Sequence, residues 1–126
     1  MFWPQMMKAA GYQTYMTGKW HVRVDTEQLF DVSADVTGGM PRQTKDRYDR
    51  AFDPKEPYAD WSPWDESFGG FWKGGKHWSV VQGDNGIEFL NTAAQNEDPF
   101  FIYLAFNAPH DPRQSPKEYV DKYTTS

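Results

Sequence analysis

No cysteine occurs anywhere in the chain. Disulfide staples, thiolate nucleophiles and Cys-ligated zinc are therefore excluded from these residues, which carry no sign of their redox compartment. Long apolar runs are missing too: nothing approaches the roughly 18 apolar residues of a membrane span. The opening Met1-Phe2-Trp3-Pro4-Gln5-Met6-Met7-Lys8 has no basic stretch followed by an apolar core, so it does not read as a signal peptide. Positive charge is in short supply. Thirteen Lys and Arg stand against eighteen Asp and Glu, a formal net charge of −5, whereas a nucleic-acid binder needs a basic face to displace counterions from phosphates. An anionic small molecule stays admissible, because a pocket can be locally cationic inside an acidic protein.

What remains is a chain of 126 residues, enough for one modest domain, with 38% hydrophobic and 17% aromatic residues. Pro4 suits a first helical turn, where its missing N–H is no loss, and Gly11 is the expected C-terminal stop. Tyr12 to Thr17 is rich in aromatic and β-branched residues and predicts a strand that ends at Gly18. From about Val22 to Lys76 neither period is sustained. A structureless loop of that length is rare inside a compact domain, so the stretch reads as an insertion packed by its own Trp61, Trp64, Phe68, Phe71, Trp72 and Trp78. Beyond it, Val80, Ile87, Leu90 and Ala94 fall on one face of a helix over about 79–95. The continuous apolar run Phe100 to Phe106 predicts a parallel strand covered on both faces, and Pro116 to Tyr123 a short helix. The order is that of an α/β protein. Two strands do not make an independent parallel sheet, so the chain reads as a slice of a larger one.

In doubly wound sheets, ligands sit just beyond the carboxyl ends of the strands. Gly18-Lys19-Trp20-His21 follows the first predicted strand, and Pro109-His110 follows the second. A lysine ammonium and two imidazoles at one sheet edge can hold an oxyanion by charge-assisted hydrogen bonds and move protons near neutral pH. Lys73-Gly74-Gly75-Lys76-His77, beside Trp72 and Trp78, is a further basic segment; it reads chiefly as a turn whose tryptophans pack, with His77 as an additional substrate-binding candidate. Asp84-Asn85-Gly86 reads as part of a helix, and no metal ligand is assigned.

Two segments carry a family resemblance. Gly11-Tyr12-Gln13-Thr14-Tyr15-Met16-Thr17-Gly18-Lys19-Trp20-His21 resembles the second signature of the sulfatases. Pro99 through Asn107-Ala108-Pro109-His110-Asp111-Pro112 is similar to their later core strand and histidine loop, in the same order. The resemblance implies a partial alkaline-phosphatase-like fold, divided as helix–strand (1–21), insertion (22–78) and helix–strand–loop–helix (79–126). It implies hydrolysis of sulfate esters, with a sulfated small molecule or sulfated carbohydrate as substrate. By that resemblance, Lys19 would bind sulfate and steady a formylglycine nucleophile, and His21 would take a proton from its sulfated hydrate. His110 would contact the sulfate and the leaving-group oxygen.

The departures are as informative as the matches. No Cys- or Ser-x-Pro-Ser-Arg motif is present, so the formylglycine precursor is missing, and the calcium expected of a complete enzyme finds no ligands here. The chain alone is therefore expected to be inactive. Rival readings are a phosphodiesterase or phosphonate hydrolase of the same superfamily, and a non-catalytic carbohydrate-binding piece using Trp61 to Trp78.

Overall fold

A computed structural model describes residues 1–40, 72–73, 76–110, 117–120 and 122–123. They fall into two units, one made of Met1–Gly39 with Ser79–Asn107 and the other of the remaining described residues. The first unit holds a three-stranded, wholly parallel sheet in the order β2-β1-β5, built from β1 (Gln13–Lys19), β2 (Val32–Thr37) and β5 (Phe100–Ala105). The chain is an α/β protein.

Helix α1 (Trp3–Ala9) starts with Pro4 in its first turn, and the Gln5 side chain accepts the Phe2 N–H at 3.0 Å. It stops at Gly11 by a Schellman closure: Gly11 N–H bonds to Lys8 O and Tyr12 N–H to Met7 O, with Gly11 at φ +85°. The turn feeds β1, whose centre is buried from Thr14 through Gly18. Alternation sends Met16 to one face, among Leu29 and Phe30, and Tyr15 to the other, against Phe89 and Ala93 of α2 (Trp78–Ala93). On the Met16 side Trp3 stacks edge-on against Phe101, ring centroids 4.7 Å apart, and against Phe30 at 5.6 Å. Each sheet face therefore has its own apolar layer.

Three elements differ from the sequence expectation. Residues 32–37, inside the stretch read as an insertion without regular elements, form β2. Val32, Ala34 and Val36 alternate with Ser33, Asp35 and Thr37 as a strand requires, and the ladder carries a bulge: Thr17 pairs with Ala34 but Gly18 with Val36, so the register passes over Asp35, at φ +49°. Helix α2 buries Val81, Gln82, Phe89 and Ala93, while Val80, Ile87, Leu90 and Ala94 face outward. Hydrophobic periodicity selects the wrong face because the inward stripe carries polar side chains bonded to strand ends. β5 lies at the edge of the described sheet, with Phe100, Tyr103 and Leu104 each more than a third exposed, so it is not covered on both faces. Most of the aromatic insertion, including Trp61, Trp64, Phe68 and Phe71, lies outside the described residues. The second unit contains a short antiparallel pair, β3 (Trp72–Lys73) with β4 (Lys76–His77), and α3 (Lys117–Val120).

Asp31 ties the start of β1 to the turn before β2. Its carboxylate accepts from the Thr14 N–H at 2.9 Å and the Thr14 hydroxyl at 2.8 Å, and pairs with Lys8 at 2.9 Å. Burial pushes the Asp31 carboxyl upward, but the bonds from Lys8 and Thr14 outweigh it and hold it below its ordinary value. A carboxyl lowered by folding stabilises the native state above the unfolded value, about 3.9, and stops doing so as pH falls through the folded one. Asp31→Asn should therefore lower Tm relative to the parent at pH 5 and above, with the gap closing below about pH 4. Thermal unfolding followed across pH checks this; a gap unchanged down to pH 2 contradicts it.

Candidate functional site at the carboxyl edge of the sheet

The central strand β1 ends between two parallel neighbours, and the chain reaches them over opposite faces. The path to β2 runs through a 3-10 turn (Thr26–Gln28), and Leu29 and Phe30 just beyond it pack on the Met16 side. The path to β5 runs through α2 on the Tyr15 side. Such a reversal opens a crevice at the carboxyl end of the sheet, where α/β proteins bind ligands. Lys19, Ala105 and Phe106 border it.

Glycine makes the local approach feasible. Gly18 has φ +105°, and a Cβ there would lie 1.8 Å from the Ala105 carbonyl oxygen and 2.8 Å from Gln82 Nε2. No L side chain fits. One residue on, Lys19 is in register with Thr37, and the Trp20 N–H donates to Thr37 O at 2.9 Å. The Trp20 indole is pinned by its bond to Val24 O at 2.8 Å and by edge contacts with Phe30 and Tyr103. Lys19 and His21 therefore flank an anchored ring; Lys19 is half-buried and His21 exposed. Both line an open cleft of about 650 Å³ shared with Trp3, Trp20, Tyr103 and Phe106. A cation and an imidazole over an aromatic floor suit an anion joined to an aryl or sugar ring. A second hollow of about 540 Å³ is lined by Arg23 but also by Asp25, Glu27 and Asp35, a poor place for an anion.

Beneath the cleft is a polar layer with no counterpart in the sequence expectation. Gln82 and Asn107, both buried, exchange two hydrogen bonds: Gln82 Nε2 donates to Asn107 Oδ1, and the Asn107 N–H donates to Gln82 Oε1 at 3.2 Å. The Asn107 carboxamide donates to Thr37 Oγ1 at 3.0 Å and Gly39 O at 2.7 Å, and the Thr37 hydroxyl donates to Gly39 O. Asn85 donates to Thr17 Oγ1 at 3.1 Å and Asp35 Oδ2 at 2.9 Å, so Asp84-Asn85-Gly86 is helical and its amide braces the bulge. The available signal was the spacing of Gln82 with Phe89 and Ala93, which puts a polar residue on an otherwise apolar helical stripe.

His110 is exposed and belongs to the second unit, three residues past Asn107 in the chain. His77 also belongs to that unit, 8% exposed in β4, opposite Trp72, with Trp78 buried next to it.

A family model for sulfatases matches residues 3–126. The chain belongs to the sulfatase family. This sulfatase chain is 30% identical to an uncharacterized sulfatase of Schizosaccharomyces pombe, over 95% of its own length and 23% of the relative's. It is 28% identical to the N-acetylgalactosamine-6-sulfatase of Rattus norvegicus, over 93% of the chain and 24% of that protein. With an arylsulfatase of Klebsiella aerogenes it shares 29% identity, over 94% of the chain and 26% of the relative. It thus spans about a quarter of the length of the curated relatives it matches. The family points to metal use, yet among the described residues no group of three or more His, Cys, Asp or Glu could hold an ion. These described residues do not fit a calcium cage.

Proposed function

We propose that this chain supplies the oxyanion-binding, proton-handling edge of a sulfuric ester hydrolase. The observation that carries the reading is the delivery of Lys19 and His21 into one cleft at the carboxyl end of the central strand. Lys19 holds sulfate oxygens through charge-assisted hydrogen bonds, which are short and roughly twice as strong as neutral ones. His21 accepts a proton during turnover. His110, assigned by the family resemblance, contacts the sulfate and gives a proton to the leaving-group oxygen. The names of the rat and bacterial relatives support a sulfated sugar or an aryl sulfate as substrate class.

The nucleophile is not among these residues. The chain has no cysteine, and none of its serines begins a Ser-x-Pro-Ser-Arg sequence. Groups that act as a unit lose nearly all their effect when one essential member is missing. The 126-residue chain should therefore bind inorganic sulfate but not turn over a chromogenic aryl sulfate, with or without added calcium. Sulfate titration followed by NMR should shift the Lys19 and His21 signals, and Lys19→Ala should abolish those shifts. No response to sulfate at either residue would remove the binding role; turnover above the Lys19→Ala level would reveal an overlooked nucleophile.

A further inference from the structure

Helix α2 carries a glutamine where a helix packed on a sheet ordinarily places an apolar side chain. Gln82 is fully buried, in line with Phe89 and Ala93. A buried carboxamide is unfavourable unless both of its ends are bonded, and here both are. Nε2 donates to Asn107 Oδ1 at 2.5 Å, and Oε1 accepts the Asn107 N–H. Asn107 reaches on to Thr37 and Gly39 at the end of β2. The same Nε2 is the side-chain atom nearest the position that a Cβ on Gly18 would occupy. One carboxamide therefore borders the exits of β1 and β5 and, through Asn107, that of β2. A leucine would hold the helix on the sheet equally well, but would not fix the three strand ends relative to one another.

We propose that Gln82 is a positioning residue for the oxyanion site. Its closed ring with Asn107 sets where Gly18-Lys19 leaves β1 and where the chain leaves β5 on its way to His110. The inference rests on the sulfate-binding role proposed for Lys19, and its effect passes through the backbone, because Gln82 does not line the cleft.

The test is NMR of the isotopically labelled 126-residue chain as parent, Gln82→Met and Thr37→Val. Methionine keeps the length and apolar bulk and removes both bonds. Valine at 37 removes only the hydroxyl that Asn107 meets, and replaces the first variant if that one does not fold. Either substitution should move the Lys19, Trp20 and Gly39 amide signals while those of Gln13 and Thr14, at the other end of β1, stay in place. Sulfate affinity read at Lys19 should weaken about tenfold for Gln82→Met, as expected when one hydrogen bond's worth of ordering is lost. Shifts confined to α2 and Asn107, with affinity within twofold of the parent, would overturn the proposal and leave Gln82 a fastener. If the parent itself ignores sulfate, the Lys19 role falls, and the amide shifts alone decide the positioning claim.

Discussion

Gly18→Ala is expected to abolish cooperative unfolding of the sheet unit. Two independent effects converge on that methyl. The backbone at φ +105° lies where L side chains are strained, at a cost of roughly 1–3 kcal/mol. The larger effect is steric, because a Cβ 1.8 Å from Ala105 O and 2.6 Å from its carbonyl carbon meets backbone rather than a movable side chain. Ala105 is the register partner of Gly18, so relief requires opening the β1–β5 ladder at that point. The sum exceeds about 4 kcal/mol, comparable with the whole stability of a small domain. Gly11→Ala is the matched control: its φ is +85°, but a Cβ there meets nothing within 4 Å, so it reports the dihedral strain alone. Circular dichroism during urea titration should show a transition for Gly11→Ala and none for Gly18→Ala. A Gly18→Ala midpoint close to the Gly11→Ala value would mean that the strands can part locally without loss.

In a catalytically complete sulfatase carrying this segment, Lys19→Ala is expected to lower kcat/KM by about 100-fold or more, the usual consequence of losing a preorganised charge at a reacting oxyanion. His110→Ala should produce a loss of similar size, since proton donation by a positioned side chain contributes roughly 100-fold to 10,000-fold. The two losses differ in character. Removing a proton donor should cost more with a poor leaving group than with a good one, whereas Lys19→Ala should cost about the same with either. His21→Ala should slow the breakdown of the sulfated enzyme, so that mass spectrometry detects covalent sulfate. Turnover within a few-fold of the parent in all three variants would remove the mechanistic assignment.

Sequence periodicity served where one residue type did one job. Gly11 ends α1, and the apolar runs around Tyr15-Met16 and Phe100–Ala105 are strands, because aromatic and bulky aliphatic side chains suit a pleated surface. The position of Lys19 and His21 at the carboxyl end of β1 was legible because the aromatic and β-branched run before them closes at Gly18. β2 was not, although Val32, Ala34 and Val36 alternate with Ser33, Asp35 and Thr37, because one six-residue alternation is a weak signal within a long stretch of no sustained period. The inward face of α2 was missed for a related reason. Gln82 is buried and Asn85 half-buried, both turned inward by hydrogen bonds that exist only once strand ends from distant segments are beside them. Meanwhile Val80, Ile87 and Leu90 supply a second apolar stripe that periodicity alone ranks higher.

The central seat of β1 also governs the order in which the chain can acquire its structure. Tyr15 pairs with Val32, so the first ladder closes over a short loop. Gln13 pairs with Phe100, so the second ladder waits until far more of the chain exists. At synthesis rates of about 5–20 residues per second, β1 spends seconds with one edge paired and the other bare. Loop closure over such a separation delays non-local parallel pairing further. During that interval Gly18, the residue with no side chain to shield its backbone, faces an empty lane. The nascent β1–β2 pair therefore presents the bare edge of β1 as a template that another strand can enter.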